Sequence, residues 1–145
     1  MSKNMKVNII HTIMWTLVAI GLIVIFSLPN TISDWGDNTA KTILLAILFL
    51  FGFGVDFVLR MVERSQKESY KKDERDSKVQ ADAVFKSFAV LILYIYIVSI
   101  ALYVKYEGAG VMPVGWVWFI AYSVITAVNL MVGIFTIVGY KKQGM

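Results

Sequence analysis

The chain has no cysteine and a single histidine, His11. Without cysteine there is no disulfide, no thiol redox chemistry and no thiolate metal site, which excludes the four-helix membrane thiol oxidoreductases. One histidine leaves little from which to build a nucleophile–base pair, and a histidine metal site would need unusual help from carboxylates. There is no G-x-x-x-x-G-K phosphate loop, no H-E-x-x-H, and no pair of adjacent acids within an apolar segment. Charge is also scarce. Asp, Glu, Lys and Arg make up 17% of the 145 residues, against about a quarter in an average soluble domain.

What is present is hydrophobicity: 58% of residues are apolar and the mean hydropathy is +0.69. Four apolar segments carry it. The first, Val7–Leu28, has 22 uncharged residues and ends at Pro29-Asn30, long enough to cross about 30 Å of hydrocarbon at 1.5 Å per residue. A signal peptide would have a shorter apolar region and a small-residue cleavage site, and SLPNTISD offers none. The segments predict an all-α integral membrane protein, a single membrane domain over residues 1–145. Its four transmembrane helices, at about 7–28, 41–63, 79–104 and 115–140, form two hairpins joined by a charged connector, 63–82. Turn formers mark the outer loops: Pro29, Asn30, Ser33, Asp34, Gly36, Asp37 and Asn38 in one, three glycines and Pro113 in the other.

Lys and Arg set the expected orientation. With both termini and the connector on one side, that side holds Lys3, Lys6, Arg60, Arg64, Lys67, Lys71, Lys72, Arg75, Lys78, Lys86, Lys141 and Lys142, and the other only Lys41 and Lys105. That side is expected to be the cytoplasm. Trp35, Trp116, Trp118, Tyr103 and Tyr106 gather at the opposite ends, where amphipathic rings anchor. The net charge of +4 is explained by this asymmetry, and no nucleic-acid partner is inferred from it.

The connector alternates in sign, with Glu63, Lys67, Glu68 and Lys72 at helical spacing and no Pro or Gly. The second helix is therefore expected to run past the membrane, turn near Lys72–Ser77 and re-enter, with Ser77 and Gln80 as a capping box for the third helix. Three readings stay open: a solvated link, a docking surface for a cytoplasmic partner, or a contact with anionic lipid headgroups, against which the interleaved acids weigh. About twenty residues is more than closure requires.

The run Asp73-Glu74-Arg75-Asp76-x-x-Val79, leading through Ala83 into an apolar helix, resembles the DER[DE]-x-x-[IV] segment before a transmembrane helix in small prokaryotic multi-helix membrane proteins of unknown function. Asp82 stands where a basic residue is expected. The resemblance covers about a dozen residues. It implies a small accessory protein of a prokaryotic plasma membrane and brings no catalytic residue.

Within the apolar segments, Asp56 stands out, because ionisable groups at membrane depth are costly and mark function. Arg60 follows one turn later on the same face. The pair reads either as an interfacial ion pair with Arg60 reaching outward, or as a proton- or cation-binding carboxylate beside Gly52 and Gly54. In the fourth segment Tyr122, Thr126, Asn129, Gly133 and Thr136 share one face, which should point inward, for packing or as a pathway. Tyr96, Ser99 and Tyr103 form a shorter match in the third. His11, with Thr12 and Trp15 nearby, reads as a headgroup-level residue; histidine is the side chain that ordinarily titrates near neutral pH.

Two functions follow as expectations. The first is a non-enzymatic accessory, regulatory or immunity-type protein, without cofactor or metal. It would hold another membrane or cytoplasmic protein through Arg64, Lys71, Lys72, Asp73, Glu74, Arg75, Asp76 and Lys78. The alternative is a small homo-oligomeric transporter or channel, with Asp56 as the coupling carboxylate and Arg60, Tyr96, Tyr122, Thr126 and Asn129 along its path. Small multidrug transporters share the size but carry an acid in the first helix, and Val7–Leu28 has none.

Overall fold

The computed structural model describes residues 3–37, 39–65 and 74–142, and all regular structure among them is α-helical. Four helices follow in order: α1 Lys3–Ser27, α2 Thr39–Ser65, α3 Glu74–Tyr106 and α4 Gly115–Lys142. Each is long and apolar enough to cross a membrane. At most 33% of the most apolar stretch of any helix is buried inside the protein. The remaining surface is largely Ile, Leu, Val and Phe, which suits a hydrocarbon surround rather than water.

Helix packing follows sparse buried stripes. On α1 these are Met14, Trp15, Val18, Leu22, Ile25 and Phe26; on α2, Lys41, Leu45, Phe49, Gly52 and Asp56; both keep the three-and-four spacing of one helical face. α1 and α2 pack as one hairpin and α3 and α4 as the other, and the two join along α1 and α4. Across the bundle the order is therefore α2, α1, α4, α3. Among the described residues no Cα of α2 comes within 8 Å of one of α3, although the connector joins them.

The core centres on Trp15, which is fully buried. Its ring meets Phe49 and Phe53 edge-on at 6.3 and 5.5 Å. Nearer the outer loops Trp35 stacks on Phe26 and on Trp118, at 5.4 and 5.8 Å. The α1–α2 loop is pinned by Lys41, buried, whose Nζ donates to the carbonyls of Thr31 (3.2 Å) and Asp34 (2.7 Å) and lies 5.2 Å from the Trp35 ring. Gly115 lets α4 begin against this loop, since a Cβ there would lie 2.5 Å from the Ile32 carbonyl oxygen.

The start of α3 differs from expectation. The helix begins at Glu74, so Ser77 lies inside it and is not an N-cap, and no turn falls at 74–77. The reason is packing: Asp76, Val79, Ala83 and Ser87 form one buried stripe, and Val79 packs with Met5 and Tyr140. At 33 residues α3 is about 50 Å long, well beyond the hydrocarbon thickness. α2 likewise runs on to Ser65, so the expected connector 63–82 is helical at both ends. Its centre, including Lys71, Lys72 and Asp73, lies outside the described residues.

Candidate functional site

α1 and α2 run antiparallel, so positions pair in opposite order: Gly21 faces Leu48, Val18 and Trp15 face Gly52, and His11 faces Asp56. The last pair brings together the one histidine and the one acid of the two apolar segments. His11 Nε2 lies 3.2 Å from Asp56 Oδ1, with side chains 15% and 9% exposed. Sequence reasoning placed these residues separately. Their equal distance from the termini end of the hairpin was the signal that could have joined them.

α4 holds the pair from the other side. Gly133 is buried, and a Cβ there would collide with Thr12 Oγ1 and lie 3.1 Å from His11 Nδ1. Thr12 itself donates to the Asn8 carbonyl at 2.7 Å. His11 Nδ1 is sealed from solvent without a hydrogen-bond partner. Nε2 is therefore the ring nitrogen that meets a partner, the Asp56 carboxylate.

Asp56 also opens onto a cavity of about 340 Å³ at the end of the bundle that carries the termini. All four helices line it: Asn8 and His11 from α1, Asp56 and Arg60 from α2, Gln80 from α3, Thr136 from α4, with valines and Leu59 between. The second carboxylate oxygen of Asp56 makes no hydrogen bond among the described residues and is not sealed. It faces this space. The chemistry available is a carboxylate oriented by an imidazole, beside an amide or two and a guanidinium, within apolar walls.

Arg60 does not pair with Asp56. Asp56 meets His11 instead, and Arg60 makes no ion pair or hydrogen bond with a described residue. The imidazole reaches Oδ1 laterally from α1, whereas Arg60 sits one turn nearer the helix end, exposed at the cavity mouth.

The α4 stripe faces inward, with Thr126, Gly133 and Thr136 buried and Tyr122 and Asn129 half-buried. Its polar atoms turn back on their own helix. Thr126 donates to the Tyr122 carbonyl at 2.9 Å, Asn129 to Ile125 at 2.8 Å and Thr136 to Val132 at 2.7 Å. Tyr122 is among the aromatic rings, 4.8 Å from Phe49. Of the five, Thr136 alone lines the cavity. Tyr96 is 65% exposed and Tyr103 63%, with Ser99 on the same outer face. Midway along α3 and α4 the polar contact is instead Tyr94 donating to Ser123 Oγ at 2.7 Å, which sequence reasoning missed.

Of the connector residues, Asp76 is buried and Lys78 exposed, Glu74 and Arg75 lie in the first turn of α3, and Arg64 is in the last turn of α2. Among the described residues no three of His, Cys, Asp and Glu come together as metal ligands. Compared with known proteins, the chain matches no protein family, no curated protein and no solved structure.

Proposed function

We propose that this protein is a small transporter or channel of a prokaryotic plasma membrane, working as an oligomer, with Asp56 as the carboxylate that binds the coupling proton or cation. The observation that supports it most is the Asp56–His11 pair at 3.2 Å opening onto the shared cavity. An ionisable pair at such depth is costly to keep without a use. His11 steers this carboxylate from α1. The termini and the α2–α3 connector face the cytoplasm, so the cavity opens toward that side.

The test is flux. In proteoliposomes the wild type carries protons or a monovalent cation down an imposed gradient, D56N falls to the level of protein-free vesicles, and Y96F, altered on the outer face, is unchanged. Wild-type flux in D56N, or no flux above background in the wild type, sinks the reading.

A second reading keeps one observation in its favour. α3 carries ordered helix to Glu74 and holds Lys78 out in solvent, a feature suited to an accessory or regulatory protein that docks a partner. Affinity purification from native membranes would then recover a stoichiometric partner with wild type and lose it with K78E. Equal recovery with both rejects this reading.

A further inference from the structure

Proton or cation binding leaves two features of the cavity unused. One is Arg60, which lines the cavity and has no partner among the described residues. The other is the side of the cavity between α2 and α3, whose described backbones nowhere bring Cα atoms within 8 Å of each other.

Arg60 and Asp56 stand one turn apart on α2, with Cβ atoms about 5–6 Å from each other. The cavity therefore presents an open carboxylate oxygen and an open guanidinium side by side. A simple cation bound at Asp56 would sit near the Arg60 charge, and a simple anion at Arg60 would sit near Asp56. A ligand carrying both signs a few atoms apart satisfies both. Val84 and Leu59 line the cavity on α3 and α2, the two sides of the gap, so a ligand that also carries hydrocarbon can enter from the bilayer. Arg60 lies at the end of the apolar run of α2, the depth at which arginine reaches the headgroups.

We infer that the cavity binds the headgroup of a zwitterionic phospholipid with a primary ammonium, of the phosphoethanolamine type. The ammonium donates to the free oxygen of Asp56, and the phosphate accepts the Arg60 fork, the geometry in which a guanidinium holds phosphate. The acyl chains leave between α2 and α3. No bond is made or broken. This rests on reading the Asp56 cavity as the working site, and it names the ligand class that site takes.

The full-length protein in mild detergent is titrated with phosphatidylethanolamine, phosphatidylcholine, phosphatidylglycerol and soluble phosphoethanolamine, and bound lipid is read by native mass spectrometry. Phosphatidylethanolamine should bind about tenfold or more tightly than either other lipid, since charge-assisted hydrogen bonds are at stake. R60Q should weaken binding of all three lipids. D56N should spare phosphatidylglycerol and remove the preference for the ammonium headgroup, a change of selectivity that a merely loosened fold does not produce. Should D56N not fold, R60K serves instead: it keeps the charge, loses the fork and should weaken phosphatidylethanolamine by less than R60Q does. Equal affinity for the three lipids, or binding indifferent to R60Q, overturns the inference. So does soluble phosphoethanolamine binding as tightly as the lipid, which would make the ligand a soluble zwitterion. Selective lipid binding without ion flux would reject the transport reading and leave this site standing. Flux without selective binding would do the reverse.

Discussion

Gly133 and Gly54 have no side chains, yet they make opposite demands on their helices. A methyl group at Gly133 runs into Thr12 and presses on His11, where α4 closes on the Asp56 pair. At Gly54 the same methyl meets nothing within 4 Å. G133A should therefore cost about 1–3 kcal/mol by overpacking and displace His11, lowering both the melting temperature and any Asp56-dependent flux. G54A should be neutral or slightly stabilising, since alanine is favoured over glycine within a helix by about 0.5–1 kcal/mol. Thermal unfolding of both variants in the same detergent separates the two; equal melting temperatures would mean that the α4–α1 approach is looser than described. At this scale the sequence was half legible. Asp56 stood out by charge alone, because an acid in an apolar run has few explanations. Its partner did not, because Arg60 was the near neighbour in sequence and His11 the near neighbour in space. Only the hairpin register, in which Trp15 comes opposite Gly52, decides between them.

α3 shows why faces are harder to read than spans. Its apolar segment is hydrophobic nearly all round, the short polar run Tyr96, Ser99 and Tyr103 lies on the exposed face, and tyrosines at 94 and 96 compete for the inner one. Residues two apart point about 200° from each other on a helix, so one of them must face outward. The inner stripe Val79, Ala83, Ser87, then Tyr94 and Leu102 picks Tyr94, whose hydroxyl meets Ser123. The small residues Ala83 and Ser87 bring α3 close to its neighbour, and neither attracts notice in the sequence. Y94F should cost about 0.6 kcal/mol, and no more than about 1.7 kcal/mol, the range for hydrogen bonds between membrane helices. Y96F, which removes an outer hydroxyl, should cost nothing measurable. A larger loss from Y96F in thermal or denaturant unfolding would put the third helix in the wrong rotation. The span itself was legible to within a few residues at its outer end, Val104 against Tyr106. Its inner end, expected at 79, lies at Glu74, because Asp76 carries the packed stripe beyond Val79 into the charged run.

Across the whole molecule, the lysines at the two ends do different work. Lys41 is buried, holds two loop carbonyls and lies over Trp35. Lys105 lies 5.4 and 5.1 Å from the rings of Tyr106 and Trp116, and the Trp116 indole donates to the Tyr106 hydroxyl at 2.7 Å. Both lysines of the loop end are thus committed to local structure. At the opposite end Lys78, Lys141 and Lys142 stand exposed. Free positive charge is therefore even more one-sided than the count of residues suggests, and loops rich in such charge stay in the cytoplasm. A chain without cysteine makes the orientation easy to measure, because each introduced thiol is the only one present. Gly36 and Gly108 are exposed in the two outer loops, with nothing within 4 Å of an added Cβ. Lys78 and Lys142 are exposed at the other end. In intact cells a membrane-impermeant maleimide should label G36C and G108C, and should reach K78C and K142C only after permeabilisation. The opposite pattern would invert the protein and turn the Asp56 cavity toward the outside. Labelling of all four from one side would mean that the helices do not span, and the apolar outer surface would then need a protein partner rather than lipid to cover it.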